Sequence, residues 1–476
     1  MSIIIPANSA VGGGFDVDNS LRFNSGSSDY LNRTPGGAGN RQTWTLNIWV
    51  KRAKLGVAQA IFTAGSNENN VDNIQFDASD RINFWSYDNN TDYSILTTRV
   101  FRDTSAWYNL QFVLDTTNGT ANDRVQLYVN GVRETVLTTN TMPSQNYSGL
   151  VNTTIAHYVG RYGWNANQYF DGYLSEVVFI DGQALAPTSF GAFDSDSGIW
   201  RPIDVSGLTF GTNGFYLDFE NSSALGNDAA GSNNFTVNNL TAIDQTTDSC
   251  TNNFATLNPL IIKNFLLPNM YYVETRQGNT VLNGTASTNN GNCYSTIGVN
   301  SGKWYVEAKK ESGTSGYPYI GIMPEEGLTP ASSNVYGLVG YNFTDTVSYE
   351  TSGNKRINGS TSSYGDTYTT GDIIGIALDC DNGAVYFSKS GTFQNSGNPA
   401  SGASKTGAAL TFTPSKYYFF GFSTFGASGQ ISVNFGNPSY ANSSSVADGN
   451  DRGAFEYAPP SGYLSLCTKN LSEVNS

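Results

Sequence analysis

Aromatic side chains stand beside amides and short acids in two turn-rich stretches, Tyr87-Asp88-Asn89-Asn90 and Tyr162-Gly163-Trp164-Asn165, and two rings flank a proline in a third, Tyr317-Pro318-Tyr319. Tyr336 stands beside Gly337 in a fourth. A ring face packs on the apolar face of a sugar, and Asn or Asp side chains satisfy its hydroxyls. These residues therefore have the chemistry of loops that hold carbohydrate. The candidate ligand contacts are Tyr87, Asn89, Tyr162, Trp164, Asn165, Tyr317, Tyr319 and Tyr336. The competing reading of each aromatic is a buried ring or a cap on a sheet edge.

The inventory for catalysis is thin. The chain has one histidine, His157, inside the alternating run Ile155-Ala156-His157-Tyr158-Val159, where a structural role in a strand is expected. Cys250, Cys293, Cys380 and Cys467 are far apart and form no CxxC. Neither a zinc site nor a disulfide framework is implied, and free thiols in a reducing cytoplasm are expected. No metal or other cofactor is expected. Net charge is −14, from 25 basic and 39 acidic residues, and Lys51-Arg52-Lys54 is the one basic cluster that stands out. That excludes an electrostatic nucleic-acid footprint, and the acidity reads as solubility. The opening MSIIIPANSA has no basic region and is broken by Pro6, unlike a secretory signal. No apolar run reaches the ~18 residues of a membrane-spanning helix, so no membrane insertion is expected.

The elements that must position these residues are strands. Charged residues make up 13% against a usual value of about 25%, while aromatics reach 13% and glycines number 51. At roughly 150 residues per domain, the 476 residues suggest about three domains. In Trp44-Thr45-Leu46-Asn47-Ile48-Trp49-Val50-Lys51, four apolar residues alternate to one face and Trp49 takes the other. Trp107–Asp115 and Val125–Val129 alternate likewise, ending at Asn130-Gly131. From Gly371 to Thr392, Ile374, Ile376 and Leu378 share a side with Val385 and Phe387 across Asp381-Asn382-Gly383. Asn382-Gly383 predicts a tight type I′ hairpin, and Ser390-Gly391 a second reversal.

The Gly371–Phe387 stretch resembles the GDxIGxxLDxDxGxxxF-like hairpin of the SPRY domain, a curved β-sandwich used for binding. Ser301–Glu307, Tyr319–Ile322, Lys416–Phe422 and Ile431–Gly436 resemble further strands of that family in the same order, although the third lacks the family's usual Pro. The phrases LRFNSGSSDYL (21–31), Trp44–Lys51 and Phe170–Leu185 resemble laminin-G-like, concanavalin A-like jelly rolls. The stretches GTNGFYLDF, LGNDAAGSNNFTVNN and DQTTDSCTNNFATLNP are similar to a connector in tail-fibre-like proteins of bacterial viruses, many of them marine. The Phe455–Leu466 tail resembles an ending of the same proteins.

The expected fold is all-β: two antiparallel concanavalin-like and SPRY-like β-sandwiches joined by an ordered, irregular connector. The expected organisation is an extended arm (1–14), a laminin-G/concanavalin A-like jelly roll (15–193), the connector (194–262), a SPRY-like sandwich (263–440) and a tail packing back on it (441–476). Phe210, Phe215, Leu217, Phe219 and Phe235 are too many apolar groups for a solvated tether.

The resemblance implies a non-enzymatic structural protein of a tailed-phage virion, assembled in the host cytoplasm. It would be a fibre or adhesin binding host cell-surface glycan or receptor. An architectural capsid-decoration or tail subunit that binds other virion proteins is the alternative, and an envelope-polysaccharide depolymerase the second. Such particle proteins are usually homo-oligomers, often trimers. Sugar-cleaving relatives of the concanavalin fold carry Glu-x-Asp-x-x-Glu on one strand; here no Glu has Asp two positions on, and Glu176 is followed by Val178 and Phe179. A carboxylate pair assembled from separate loops stays open.

Overall fold

A computed structural model describes residues 14–88, 91–263, 273–285, 290–313, 318–328, 338–425 and 429–474. The chain is built of strands and divides into two compact units, one of Gly12–Asn252 and one containing Asn253–Ser476.

In the first unit two antiparallel sheets face each other across one core. The first sheet runs in the order 132–133, 125–129, 107–115, 43–52, 172–181, 20–23 and 245–246, with 215–217 paired to 172–181. The second runs 137–141, 91–97, 82–88, 70–76, 59–67, 157–159, 30–33 and 236–238. Alternation does what it predicts: Trp44, Leu46, Ile48 and Val50 enter the core with Phe62, Ile74, Phe84 and Ile95 of the opposite sheet. Trp49 points out of the back of its sheet, to Trp107, Tyr173 and Trp200.

That back face accounts for the connector. Residues 194–252 belong to the first unit and 253–262 to the second. Phe215 and Leu217 pair with Phe179 and Val177 as one more strand, and Tyr216 joins Val178, Ile180, Phe190 and Val205 behind the sheet. Asp248 reaches under this layer to a buried ion pair with Lys51 (2.7 Å) and accepts from the Trp107 indole N–H (3.1 Å). Apolar patterning foretold that the segment is ordered, but not that it is a third layer of the jelly roll.

The second unit pairs a sheet ordered 273–276, 281–284, 430–434, 303–312, 373–379, 384–389 and 392–393 with one ordered 290–294, 418–425, 319–324, 347–350, 354–357 and 360–363. Ile374, Ile376, Leu378, Val385 and Phe387 all lie in its core. The hairpin closes, but its turn is not type I′: Gly383 has positive φ (+71°) and Asn382 does not. Asp379 pairs with Ala384, leaving a four-residue loop. The reason is the Asp379 carboxylate, which accepts from the amides of Asp381 (3.0 Å) and Asn382 (2.9 Å) and holds them in a right-handed turn. The two-residue reversal occurs instead at Ser390-Gly391 (φ +48° and +80°) and, in the first unit, at Asn130-Gly131 (φ +48° and +75°). The 441–474 tail lies on this sandwich, where buried Glu307 accepts from the amides of Glu456 (2.9 Å) and Tyr457 (2.8 Å).

Candidate functional site

On the strand Ile82–Asp88, Ile82 and Phe84 fill the core, so Asn83, Trp85 and Tyr87 must face outward. An indole on the polar side of a strand is the first sign of a site. Pairing sets a row across that outer face: Ser94 opposite Trp85, Trp85 opposite Asn73, Asn73 opposite Thr63, Thr63 opposite Tyr158, and Tyr158 opposite Asn32.

The 160–168 loop folds over the middle of this row. Thr63 Oγ1 donates to Asn73 Oδ1 (3.0 Å) and contacts the Arg161 carbonyl (3.1 Å). Gly163 permits the approach, since a Cβ there would stand 2.9 Å from Thr63 Cγ2 and 3.2 Å from Gly65 Cα. The loop thereby sets Tyr162 beside Trp85, with ring centroids 6.3 Å apart and planes inclined by 38°. Burial raises the pKa of the Tyr162 hydroxyl. Trp164 is 40% exposed.

The polar groups around Trp85 are oriented in sequence. Because Asn73 Oδ1 accepts from Thr63, its amide N–H donates to Gln75 Oε1 (2.8 Å), which leaves the Gln75 NH2 as a donor on the open face. Ser94 Oγ leans on Asn83 Oδ1 (3.4 Å). Trp85, Tyr87, Asn83, Gln75 and Ser94 are all half-buried. Together they form a shelf with an aromatic floor, an aromatic wall and uncharged donors and acceptors at its margin. Such a shelf can stack a sugar ring and bond its hydroxyls.

Of the residues singled out by sequence, Tyr87 shares a strand and its outer face with Trp85, and Tyr162, Trp164 and Asn165 belong to the loop beside it, Asn165 exposed. Asn89, Tyr317 and Tyr336 lie outside the described residues. Tyr319 is not displayed. It lies in the strand Tyr319–Pro324, 5% exposed, against Tyr341 (5.9 Å) and Arg356 (5.5 Å). Trp85, Asn83 and Gln75 were missed, although the alternation of Ile82-Asn83-Phe84-Trp85 already carried the signal.

Asp72 and Asp92 approach one another in this unit, and both are tied down. Asp72 accepts from the amides of Leu150 (2.7 Å) and Val151 (2.9 Å) and from Ser86 Oγ, which touches Tyr147 Oη (2.8 Å); that hydroxyl reaches Asp92 (3.1 Å). Burial raises the Asp72 pKa to about 6, and the side chain is 1% exposed. The pair clamps the 147–151 turn. His157 is likewise structural: Asn152 N donates to its Nε2 (2.8 Å), so Nδ1 carries the proton and bonds the Ile155 carbonyl (2.9 Å). Among the described residues no group of three His, Cys, Asp or Glu is placed to hold a metal, and no helix is long and apolar enough to cross a membrane.

Residues 25–188 match the concanavalin A-like lectin/glucanases superfamily, and residues 303–442 match the SPRY domain family. The chain carries a concanavalin A-like domain followed by a SPRY domain. Among solved structures, the SPRY domain of human HERC1 is 17% identical, over 32% of this chain and 87% of that one, with a TM-score of 0.24. The native heptameric SAP-like pentraxin from Limulus polyphemus is 15% identical, over 36% and 80%, with a TM-score of 0.27. No curated protein matches the sequence. The Trp85 shelf and the loop beside it fall wholly within the matched stretch of the concanavalin A-like domain.

Proposed function

We propose that this protein is a non-enzymatic adhesin of a tailed-phage particle, holding a host-surface glycan on the Trp85 shelf of its concanavalin A-like domain. The observation that carries the reading is the indole of Trp85, turned out of the sheet beside Tyr162 and ringed by uncharged amides and hydroxyls. The particle setting is supported by the likeness of the 194–262 and 455–466 segments to tail-fibre-like proteins, and it implies assembly with other virion proteins as a homo-oligomer.

The test is titration of the intact chain with host envelope polysaccharide and an array of oligosaccharides. Removing a stacking ring costs about 1–1.5 kcal/mol or more, so Trp85→Ala and Tyr162→Ala are each expected to weaken binding roughly tenfold. Trp200→Phe, on the opposite side of the domain, leaves binding unchanged. Release of reducing ends from the polysaccharide, or binding indifferent to Trp85, sinks the proposal.

A further inference from the structure

Four cations of the concanavalin A-like unit are deeply buried: Arg22, Lys51, Arg52 and Arg161. Three face an aspartate, with Arg22 3.8 Å from Asp244, Lys51 2.7 Å from Asp248 and Arg52 3.1 Å from Asp80. Arg161, 8% exposed, has no acid at ion-pair distance among the described residues. Burying a charge without a counter-charge is costly, and this fold matches the other three.

The surroundings of Arg161 only partly offset that cost. The rings of Tyr30 and Tyr158 lie against the guanidinium, their centroids 4.7 and 4.3 Å from its central carbon. Rings attract a cation but supply no negative charge. Nε donates to the Tyr162 carbonyl (3.1 Å) and Nη2 to the Gly163 carbonyl (2.8 Å). A guanidinium has five N–H donors, so three stay uncommitted, two on Nη1 and one on Nη2. That edge of the fork matches the two oxygens of a carboxylate. Asn32 is alongside, opposite Tyr158 in the sheet, with its Oδ1 taken by Asn238 Nδ2 (2.7 Å) and its own NH2 left to donate.

Arg161 precedes Tyr162 in the loop that walls the shelf. Tyr158 lies three strands from Trp85 along the outer row, about 14 Å at the usual spacing of strands. That is the reach of an oligosaccharide rather than of one ring. We infer that Arg161 takes the carboxylate of an acidic sugar, in a glycan whose neighbouring unit stacks on Trp85; this rests on the glycan-binding reading of that shelf. With a net charge of −14, the protein repels polyanions at long range, and a buried cation without a counter-charge gives an acidic chain a place to dock.

The experiment compares the intact chain's affinity for uronic-acid oligosaccharides (from polygalacturonate, alginate and glucuronate polymers) with that for carboxyl-reduced copies of the same oligosaccharides. A charge-assisted pair predicts that at least one acidic form binds about tenfold or more tighter than its reduced copy. Arg161→Gln should abolish that preference and Arg161→Lys restore part of it, while Trp85→Ala weakens both forms. The wild-type comparison stands even where a variant fails to fold. Equal or tighter binding of the reduced copies, or an acid preference that survives in Arg161→Gln, overturns the inference and leaves the shelf reading intact. Neutral glycans bound through Trp85 with no acid bound do the same. If no glycan on the array or in this series binds, both readings fail.

Discussion

Two buried titratable side chains give the first unit opposite responses to pH. Glu176 sits at a bulge with φ +51°, points behind the sheet and takes the Tyr216 hydroxyl between its oxygens at 2.8 and 2.9 Å. Burial pushes its pKa up to about 8. Below pH ~4.5 the carboxyl is protonated in folded and unfolded chains alike; above that only the unfolded chain releases the proton, so stability falls as pH rises to about 8. The expected loss is on the order of 4 kcal/mol. Urea unfolding at pH 5 and 8.5 should show it, and Glu176→Gln should flatten the slope. His157 works the other way. Burial lowers its pKa to about 4, so its contribution is intact above pH ~6.5 and shrinks as the unfolded chain takes up a proton between pH 6.5 and 4. His157→Gln, read by melting temperature at pH 4.5 and 7, should narrow that difference.

At the scale of the element, the hairpin turn 380–383 depends on one glycine. Gly383 is left-handed, and a Cβ there would stand 2.0 Å from the Phe412 carbonyl oxygen. Gly383→Ala is expected to cost about 2 kcal/mol or more, from φ strain plus displacement of Phe412, which follows the short strand Leu410–Thr411. Asn382→Ala, losing one bond to Asp379 (2.8 Å), should cost nearer 1 kcal/mol. A melt in which both variants behave alike would remove the distinction. The outer row of the Trp85 shelf obeys the same logic of local geometry. Trp85 faces out because Phe84 faces in, and a one-residue slip of that strand would bury the indole and display the core.

For the whole molecule, the boundary of the first unit is the sharpest prediction. A fragment ending at residue 193 would uncover Trp49, Trp107 and Tyr173 and leave buried Lys51 without Asp248, a loss of roughly 3–5 kcal/mol for the ion pair alone. Residues 14–193 are therefore expected to aggregate or stay unfolded, while 14–252 unfolds cooperatively in urea. Equal stability of the two fragments would refute the third layer. The 253–476 fragment has its own core and should fold as well.

By itself the sequence determined the strands, their inward faces and the order of two sandwich families, because a period of two and turn-forming pairs act over a few residues. Ser390-Gly391 and Asn130-Gly131 were legible for that reason. It also nominated the Tyr162–Asn165 loop, whose composition alone marks it. What only the tertiary structure decided depends on residues far apart in the chain. Asp379 overrode the preference of Asn382-Gly383, residues 194–252 closed the back of a sheet begun at Ser20, and Gly163 let a loop cross Thr63. Trp85 became a shelf only when that loop brought Tyr162 to it, and Arg161 stood out only once the partners of every other buried cation in its unit could be counted. Pairing of that range carries no local signature, since any strand of suitable alternation could have taken its place.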